Sequence, residues 1–138
     1  MRIVIDSNRI LAALIKDSTT REIVLDSFFE FLAPDFILAE IRSHEERVLK
    51  AAGITRDELE VLLFLIFERI TIIPESEYRE WIELVKGDIS DPKDVVYIAA
   101  CLAGKADGIW THDPDFSTQN KVNIFTNIDM LRMSGKAK

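Results

Sequence analysis

Acidic residues stand at both ends of one largely apolar segment, residues 91–116, which reads DPKDVVYIAACLAGKADGIWTHDPDF. Asp91 and Asp94 come before its apolar part, and Asp113 and Asp115 come after it. Carboxylates at such positions can cap helices and turns, or they can hold a hard cation that prefers oxygen ligands. Carboxylates within a few ångströms of one another repel and resist ionisation unless a cation compensates their charge. The chemistry therefore depends on whether the fold brings these acids together.

A cation held by converging carboxylates is expected to be Mg²⁺ or Mn²⁺, because zinc prefers the nitrogen and sulfur ligands of His and Cys. The chain supplies few of those, namely His44, His112 and Cys101. An acidic metal site of this kind suits phosphodiester hydrolysis, in which the metal neutralises the phosphate and activates a water. The sequence contains no Gly-rich phosphate loop, no GxGxxG and no GxSxG motif. Nucleotide-triphosphate, dinucleotide and serine-hydrolase chemistry therefore have no support.

The elements that must position these acids alternate between strands and helices. Short apolar runs predict strands at residues 2–5, 31–33, 70–73, 108–111 and 123–125. Helical spacing predicts helices at residues 10–15, 19–29, 34–53, 75–86 and 92–103, and another that contains residues 61–67. Thr19 with Glu22 and Thr55 with Glu58 form candidate capping boxes, and Pro34 suits a first helical turn. The alternation predicts an α/β fold with a mostly parallel sheet and helices on both faces.

A parallel sheet predicts where four of the acids meet. The helix that carries Asp94 runs away from the carboxyl edge of the strands, and the strand before Asp113 returns to that edge. Under right-handed crossovers, the first strand delivers Asp6 to the same edge. Glu40 lies in the second turn of the helix after the second strand, so it also starts near this edge.

Each acid also has an ordinary structural interpretation. Asp91 and Asp94 flank a proline in the manner of a helix N-terminus, Asp6 could cap a helix, and Asp113 could begin a turn. Glu40 could be a solvated side chain on a helix face. For each residue alone capping or solvation is the favoured interpretation, whereas the joint pattern at one edge favours a metal site.

Length and composition fit a single globular domain, because the chain has 138 residues with 48% hydrophobic and 30% charged residues. We expect the domain to span residues 1–133, with a loose basic tail at residues 134–138. The net charge of −7 excludes binding of nucleic acid through a broad basic face, so metal ions or a local basic rim would be required. No apolar run approaches the roughly 20 residues of a membrane span. The lone Cys101 excludes an internal disulfide and, together with the absence of a leader pattern, favours a cytoplasmic protein.

The segment VLLFLIF at residues 61–67 is apolar on every face of a helix. Such a helix is either deeply buried or covered by another subunit. The segment therefore favours a homodimer.

Several motifs together resemble the PIN domain family over essentially the whole chain. They are MRIVIDSN at the start, PDFILAEI in the middle, the segment 91–116 and a final short strand. The combination is specific, although each motif alone is weak. The resemblance implies a three-layer α/β/α sandwich with a central sheet of about four to five strands. It also implies a Mg²⁺- or Mn²⁺-dependent endoribonuclease that acts on RNA, most familiarly the toxin of a toxin–antitoxin pair with an antitoxin protein as partner.

The resemblance assigns roles to residues of this chain. The family's four metal-site acids correspond to Asp6, Glu40, Asp94 and Asp113. Its polar residues correspond to Asn8 and Thr111, which would orient ligands or the phosphate, and Arg9 would supply a local positive charge. The resemblance thus makes Asn8, Arg9 and Thr111 the candidate substrate-binding residues. Asp115 is an additional acid rather than a ligand, and Asp91 competes with Asp94 for the third metal position. Asp94 is preferred because its spacing to the alanines of the same helix matches the family. His112 could touch the substrate, but a solvated loop side chain is favoured.

Two other functions are compatible with this fold. A catalytically silent PIN domain would act as an RNA-processing or protein-binding module, and retention of all four acids argues against it. A phosphatase or receiver-type domain would use Asp6 as an acceptor. Those folds require paired acids at the first strand and a lysine after a later strand, and neither feature is visible in the sequence.

Overall fold

A central sheet of five parallel strands organises the protein. The computed structural model describes residues 1–15, 17–87 and 89–136. The strands are β1 Arg2–Ile5, β2 Glu30–Pro34, β3 Ile70–Ile73, β4 Gly108–Trp110 and β5 Ile124–Phe125. Their order across the sheet is β3-β2-β1-β4-β5, and every neighbouring pair is parallel. The predicted parallel sheet of about four to five strands is confirmed.

Helices connect the strands and cover both faces of the sheet. They are α1 Ser7–Ile15, α2 Ser18–Val24, α3 Phe36–Ser43, α4 Glu45–Ala52, α5 Arg56–Phe67, α6 Glu75–Val85, α7 Pro92–Ala103 and α8 Asn127–Met133. A 3-10 turn, Pro114–Thr118, follows β4. α7 packs against β1, β2 and β4, and α6 packs against α7. Elsewhere, α1 packs against α2, α3 and α4, and α2 also packs against α8. This arrangement confirms the three-layer α/β/α sandwich.

The strand order creates a switch point between β1 and β4. After β1 the chain adds β2 and β3 on one side of it, and then adds β4 and β5 on the other side. Ile5 at the end of β1 is paired with Trp110 at the end of β4. The residues that follow, Asp6 and Thr111, are therefore neighbours at the carboxyl edge. Open α/β sheets bind their ligands in the crevice at such a point.

The sheet is buried on both faces, which explains why its strands read as continuous apolar runs rather than alternating ones. Ile3, Val4 and Ile5 of β1 are fully buried. The rings of Phe31 in β2 and Trp110 in β4 stack with their centroids 5.7 Å apart. The core thus fixes the two central strands whose ends carry the polar residues.

Some predicted helix boundaries were wrong. The first helix begins at Ser7 rather than at residue 10. The second is capped by Asp17, whose side chain accepts a hydrogen bond from the Thr20 backbone N–H, and it ends at Val24 rather than near residue 29. Thr19 therefore lies inside the helix instead of capping it. Asp17 is the N-cap because aspartate caps helices better than threonine, and its position two residues earlier extends the helix by about half a turn.

The single helix predicted at residues 34–53 is two helices. Pro34 belongs to β2, α3 ends at Ser43, and α4 begins after His44. Gly53 ends α4 with a φ of 66°, a left-handed conformation that glycine adopts without strain. The break turns α4 away from α3 so that both pack against α1. The capping box of Thr55 is present as predicted.

The outer face of α5 is exposed rather than buried. Leu59 and Leu63 enter the core, whereas Val61, Phe64 and Leu65 are more than half exposed. Burial within one chain therefore does not explain this apolar helix, and a homodimer stays a prediction.

The chain end is described as far as Lys136, whose Nζ lies 3.2 Å from Asp26 Oδ2. Residues 137 and 138 of the predicted loose tail lie outside the described residues, so the domain boundary at residue 133 stays a prediction. In the part of the chain that the structure describes, no helix combines the length and the apolar character needed to cross a membrane.

Candidate functional site

Asp6 and Thr111 join the ends of the two central strands. The Asp6 backbone N–H donates to Trp110 O at 3.1 Å, and the Thr111 hydroxyl donates to Asp6 Oδ2 at 2.6 Å. Both side chains are buried. Burial raises the pKa of Asp6, although the hydrogen bond from Thr111 opposes this change, and the charge of Asp113 adds to it. Asp6 is thus a buried carboxylate with a fixed orientation.

Asp94 lies in the first turn of α7, and the cap of this helix is another residue. Asp91 Oδ1 accepts a hydrogen bond from the Lys93 backbone N–H at 2.9 Å, so Asp91 performs the predicted N-cap role. The Asp94 side chain is 6% exposed, and its Oδ2 atom has no hydrogen-bond partner among the described residues. Burial, followed by the negative charges of Asp91 and Asp113, raises the pKa of Asp94 to about 7.

Asp113 and Asp115 approach Asp94 from the turn after β4. Asp113 Oδ1 accepts a hydrogen bond from the Asp115 backbone N–H at 2.9 Å and so caps the 3-10 turn. One carboxylate oxygen from each of Asp94, Asp113 and Asp115 lies within 4.8 Å of the other two. We call these three residues the acidic cluster.

Glu40 faces the site from α3 and is half-buried. Its Oε1 atom accepts a hydrogen bond from the hydroxyl of Tyr97, which lies one turn after Asp94 on α7. Burial raises the pKa of Glu40, the Tyr97 hydrogen bond opposes this, and the charge of Asp6 adds to the increase. Burial and the Glu40 charge also raise the pKa of Tyr97, so its hydroxyl remains a proton donor to Glu40.

The donors present fit a divalent cation that prefers oxygen ligands. No described residue donates a hydrogen bond to the buried Asp94 Oδ2 atom, and a buried polar atom costs free energy unless some group satisfies it. Asp94 belongs to a cluster composed of carboxylates alone. Mg²⁺ and Mn²⁺ prefer such ligands, whereas zinc prefers His and Cys. An empty cluster would keep one carboxyl protonated, in agreement with the raised pKa of Asp94.

The structure brings the four predicted metal-site acids to one edge, with one difference in their grouping. Asp94 and Asp113 belong to the acidic cluster, and Asp115, expected to be an additional acid, completes it. The negative charge of Asp6 contributes to the raised pKa of Glu40, so these two carboxylates lie near each other. In the described chain, neither belongs to a group of three oxygens that could share one ion. The 3-10 turn that places Asp115 was not visible from spacing alone.

The predicted substrate-binding residues lie beside Asp6. Asn8 Nδ2 donates to Thr111 Oγ1 at 3.2 Å, and Arg9 Nε donates to Asn8 Oδ1 at 2.9 Å. The Arg9 side chain points into the protein and is buried. His112 is exposed, as favoured, and its Nε2 atom accepts a hydrogen bond from the Asn127 backbone N–H at 3.0 Å.

Sequence reasoning missed two residues that hold the site together. Tyr97 contacts Glu40, and its position three residues after Asp94 on the same helix face was an available signal. Asn127 begins α8, a helix that was not predicted although Thr126 and Asp129 form a capping box. Its side chain accepts a hydrogen bond from Trp110 Nε1 at 2.9 Å.

Comparison with protein families shows that the family model described as the PIN domain matches residues 4–128. This range includes every residue of the acidic cluster together with Asp6 and Glu40. A comparison with curated proteins found no match.

Proposed function

The chain belongs to the PIN domain family, and on that premise we propose that it is a metal-dependent endoribonuclease that hydrolyses phosphodiester bonds of RNA. The observation that carries the proposal concerns Asp94 of the acidic cluster, whose buried Oδ2 atom has no hydrogen-bond partner in the described part of the chain. A purely structural role for Asp94 would provide a donor for this oxygen. The cluster lies at the switch point of the sheet, where α/β proteins bind ligands.

Asp94, Asp113 and Asp115 would hold the cation, with Asp6 and Glu40 completing the acidic surface around it. The chemistry that Mg²⁺ or Mn²⁺ supplies when bound is stabilisation of charge on the phosphate oxygens and activation of water as the nucleophile. The Thr111 hydroxyl keeps Asp6 Oδ2 in place, and the Tyr97 hydroxyl does the same for Glu40. Both contacts reduce the reorganisation that ligand carboxylates would otherwise undergo.

A cleavage assay tests the proposal. Purified protein is incubated with single-stranded RNA in Mg²⁺, in Mn²⁺ and in EDTA, and the products are separated on a gel. We expect cleavage inside the RNA in either metal and none in EDTA. Asp94→Asn and Asp113→Asn should each reduce cleavage by more than about 100-fold, because even outer partners of metal ligands contribute about 10–100-fold.

Asp57→Asn is the matched control, because Asp57 is an exposed acid in the first turn of α5. This variant should cleave as wild type does. Metal-independent cleavage, or full activity of Asp94→Asn, would contradict the proposal. Binding of Mn²⁺ without cleavage of RNA would favour the catalytically silent PIN domain instead.

We extend the proposal to partners and location. Val61, Phe64 and Leu65 form an exposed apolar face on α5, and a homodimer would cover it. An antitoxin protein as partner and a cytoplasmic location rest on the family resemblance and on the single cysteine, respectively. Sequencing of the neighbouring gene tests the antitoxin, since a small open reading frame immediately upstream would support a toxin.

A further inference from the structure

A chain of hydrogen bonds continues behind Asp6 into the interior and ends at α8. Its central residue is Arg9, which is 8% exposed. Arg9 Nε donates to Asn8 Oδ1 at 2.9 Å, and Arg9 Nη1 lies 3.5 Å from Thr20 Oγ1 and 3.4 Å from Asn127 Oδ1. The guanidinium group is therefore directed toward protein acceptors on α1, α2 and α8.

Asn127 holds the guanidinium group of Arg9 in this position by accepting a hydrogen bond from it. Its Oδ1 atom also accepts a hydrogen bond from Trp110 Nε1 at 2.9 Å, and its Nδ2 atom donates to Thr20 Oγ1 at 3.1 Å. An indole N–H can only donate, so the amide oxygen of Asn127 must face Trp110. Because Trp110 is fully buried in β4, Asn127 ties the start of α8 to a rigid strand.

The chemistry of the donors fixes the direction of each hydrogen bond between Arg9 and Asp6. Arginine has no acceptor, so Asn8 must turn its oxygen toward Arg9 and its Nδ2 atom toward Thr111. The Thr111 hydroxyl accepts this bond and one from the Asp113 backbone N–H at 3.0 Å. Its single proton is then left for Asp6 Oδ2. The hydrogen bonds from Arg9 to Asn8, from Asn8 to Thr111 and from Thr111 to Asp6 thus all run toward the Asp6 carboxylate.

We propose that Arg9, seated by Asn127, is a positioning residue that orients the Asn8 amide and the Thr111 hydroxyl, and through them the Asp6 carboxylate. This inference rests on the proposed function, because it concerns how the same acidic edge binds its metal. It differs from a role of Arg9 in contacting the substrate phosphate. A phosphate contact would need the positive charge at the surface, whereas this guanidinium group is buried and bonded inward.

The Arg9→Lys variant tests whether the positive charge of Arg9 or its hydrogen-bond geometry is required. Lysine keeps the positive charge but cannot donate from two rigidly spaced nitrogens to Asn8 and Asn127. We expect its kcat for RNA cleavage and its Mn²⁺ affinity, measured by electron paramagnetic resonance of free Mn²⁺, each to fall about 10-fold or more. KM for RNA should stay within about twofold, because no substrate contact is lost. Arg79→Lys on the exposed surface of α6 is the matched control.

Asn127 lies at the end of this hydrogen-bond network that is farthest from Asp6. Asn127→Ala should nevertheless cause the same loss of kcat and Mn²⁺ affinity as Arg9→Lys. Asn127→Asp should restore most of both, because a carboxylate still accepts from Trp110 and Arg9. Asn120→Ala, at an exposed position in the loop after the 3-10 turn, is the control and should behave as wild type. Circular dichroism checks that each variant folds, and if Arg9→Lys does not fold, the Asn127 pair decides the question.

The outcomes distinguish this inference from the proposed function. Wild-type kcat and Mn²⁺ affinity in Arg9→Lys or Asn127→Ala would overturn the positioning role alone, as would a raised KM with unchanged kcat. If the wild type binds Mn²⁺ but cleaves no RNA, the proposed function is wrong. The Mn²⁺ affinities of the variants would then still test the positioning role of Arg9. A wild-type chain that binds no Mn²⁺ would overturn both.

Discussion

The Thr111 hydroxyl donates to Asp6 Oδ2 at 2.6 Å and thereby links the ends of β1 and β4. The same hydroxyl oxygen accepts hydrogen bonds from Asn8 Nδ2 and from the Asp113 backbone N–H. The buried Thr111 side chain therefore fixes the relative positions of three residues of the site, Asp6, Asn8 and Asp113. This contact is possible because Ile5 and Trp110 are paired in the sheet immediately before it.

Two replacements of Thr111 should separate the contribution of its hydroxyl group to stability from the contribution of its side-chain volume. Thr111→Val keeps the volume but leaves a buried carboxylate oxygen and a backbone N–H without a partner, so we expect a loss of about 1–3 kcal/mol in the free energy of unfolding. Thr111→Ser keeps the hydroxyl and should lose less. Urea denaturation in EDTA measures both values, and equal stabilities of the two variants would show that the hydroxyl contributes nothing.

The stability of the metal-free protein should fall as the pH rises toward neutrality. Burial raises the pKa of Asp94 to about 7, whereas an unfolded aspartate titrates near about 3.9. Between these values the folded state binds a proton that the unfolded chain has released, so stability decreases with increasing pH and levels off above about 7. Asp6 and Glu40, with pKa values also raised by burial, act in the same direction.

Asp94→Asn isolates the contribution of this one carboxyl group. In EDTA at pH 4, the variant and the wild type should have about the same melting temperature. At pH 8 the variant should have a higher melting temperature than the wild type, because asparagine cannot ionise. Thermal unfolding followed by circular dichroism across this range gives both curves. Parallel curves for wild type and variant would mean that Asp94 titrates normally.

The acidic cluster predicts different roles for two acids of similar sequence context. Asp115 belongs to the cluster, whereas Asp91 caps α7. Asp115→Asn should therefore weaken Mn²⁺ binding by about 10-fold or more, the scale on which ligand-supporting groups act. Asp91→Asn should change Mn²⁺ affinity less, because asparagine caps almost as well as aspartate. Isothermal titration calorimetry compares the two, and the reverse ranking would make Asp91 a metal ligand in place of Asp115.

The exposed face of α5 predicts how the protein associates. Phe64 is 65% exposed, so Phe64→Glu should change the stability of one chain by no more than about 0.5 kcal/mol while converting a dimer into a monomer. Leu63 is 6% exposed, so Leu63→Glu should instead unfold the chain, because it buries an unpaired charge. Light scattering at matched concentrations measures the molar mass.

Leu84→Glu is the control for this experiment, because Leu84 on α6 is 64% exposed. It should leave the molar mass of the wild type unchanged. A wild-type protein that is monomeric at every concentration would remove the dimer from the proposal.

Much of the site was visible in the sequence because strong local signals surround it. Asp94 follows a proline and an N-cap at the start of a long apolar helix, and Asp6 follows a run of buried β-branched residues. Asp115 was underestimated because its place in the acidic cluster depends on the 3-10 turn that Asp113 caps. α8 was missed because it has seven residues and a short apolar pattern, although its capping box was present. The break at His44 was hidden because the residues on both sides of it favour a helix.

The sequence by itself determined the five strands, most of the helices and the parallel type of the sheet. Five apolar runs separated by helical segments can bury both faces of the strands only as a parallel sheet covered by helices. The tertiary structure alone decided the strand order, which places β1 beside β4 and so joins Asp6 to Thr111 across 105 positions of the chain. It also decided that Arg9 points inward and that Asp94 Oδ2 has no donor among the residues that the structure describes. Local patterns do not encode these features, because strand pairing and side-chain partners depend on residues far apart in the chain, which only the packed fold brings within hydrogen-bonding distance.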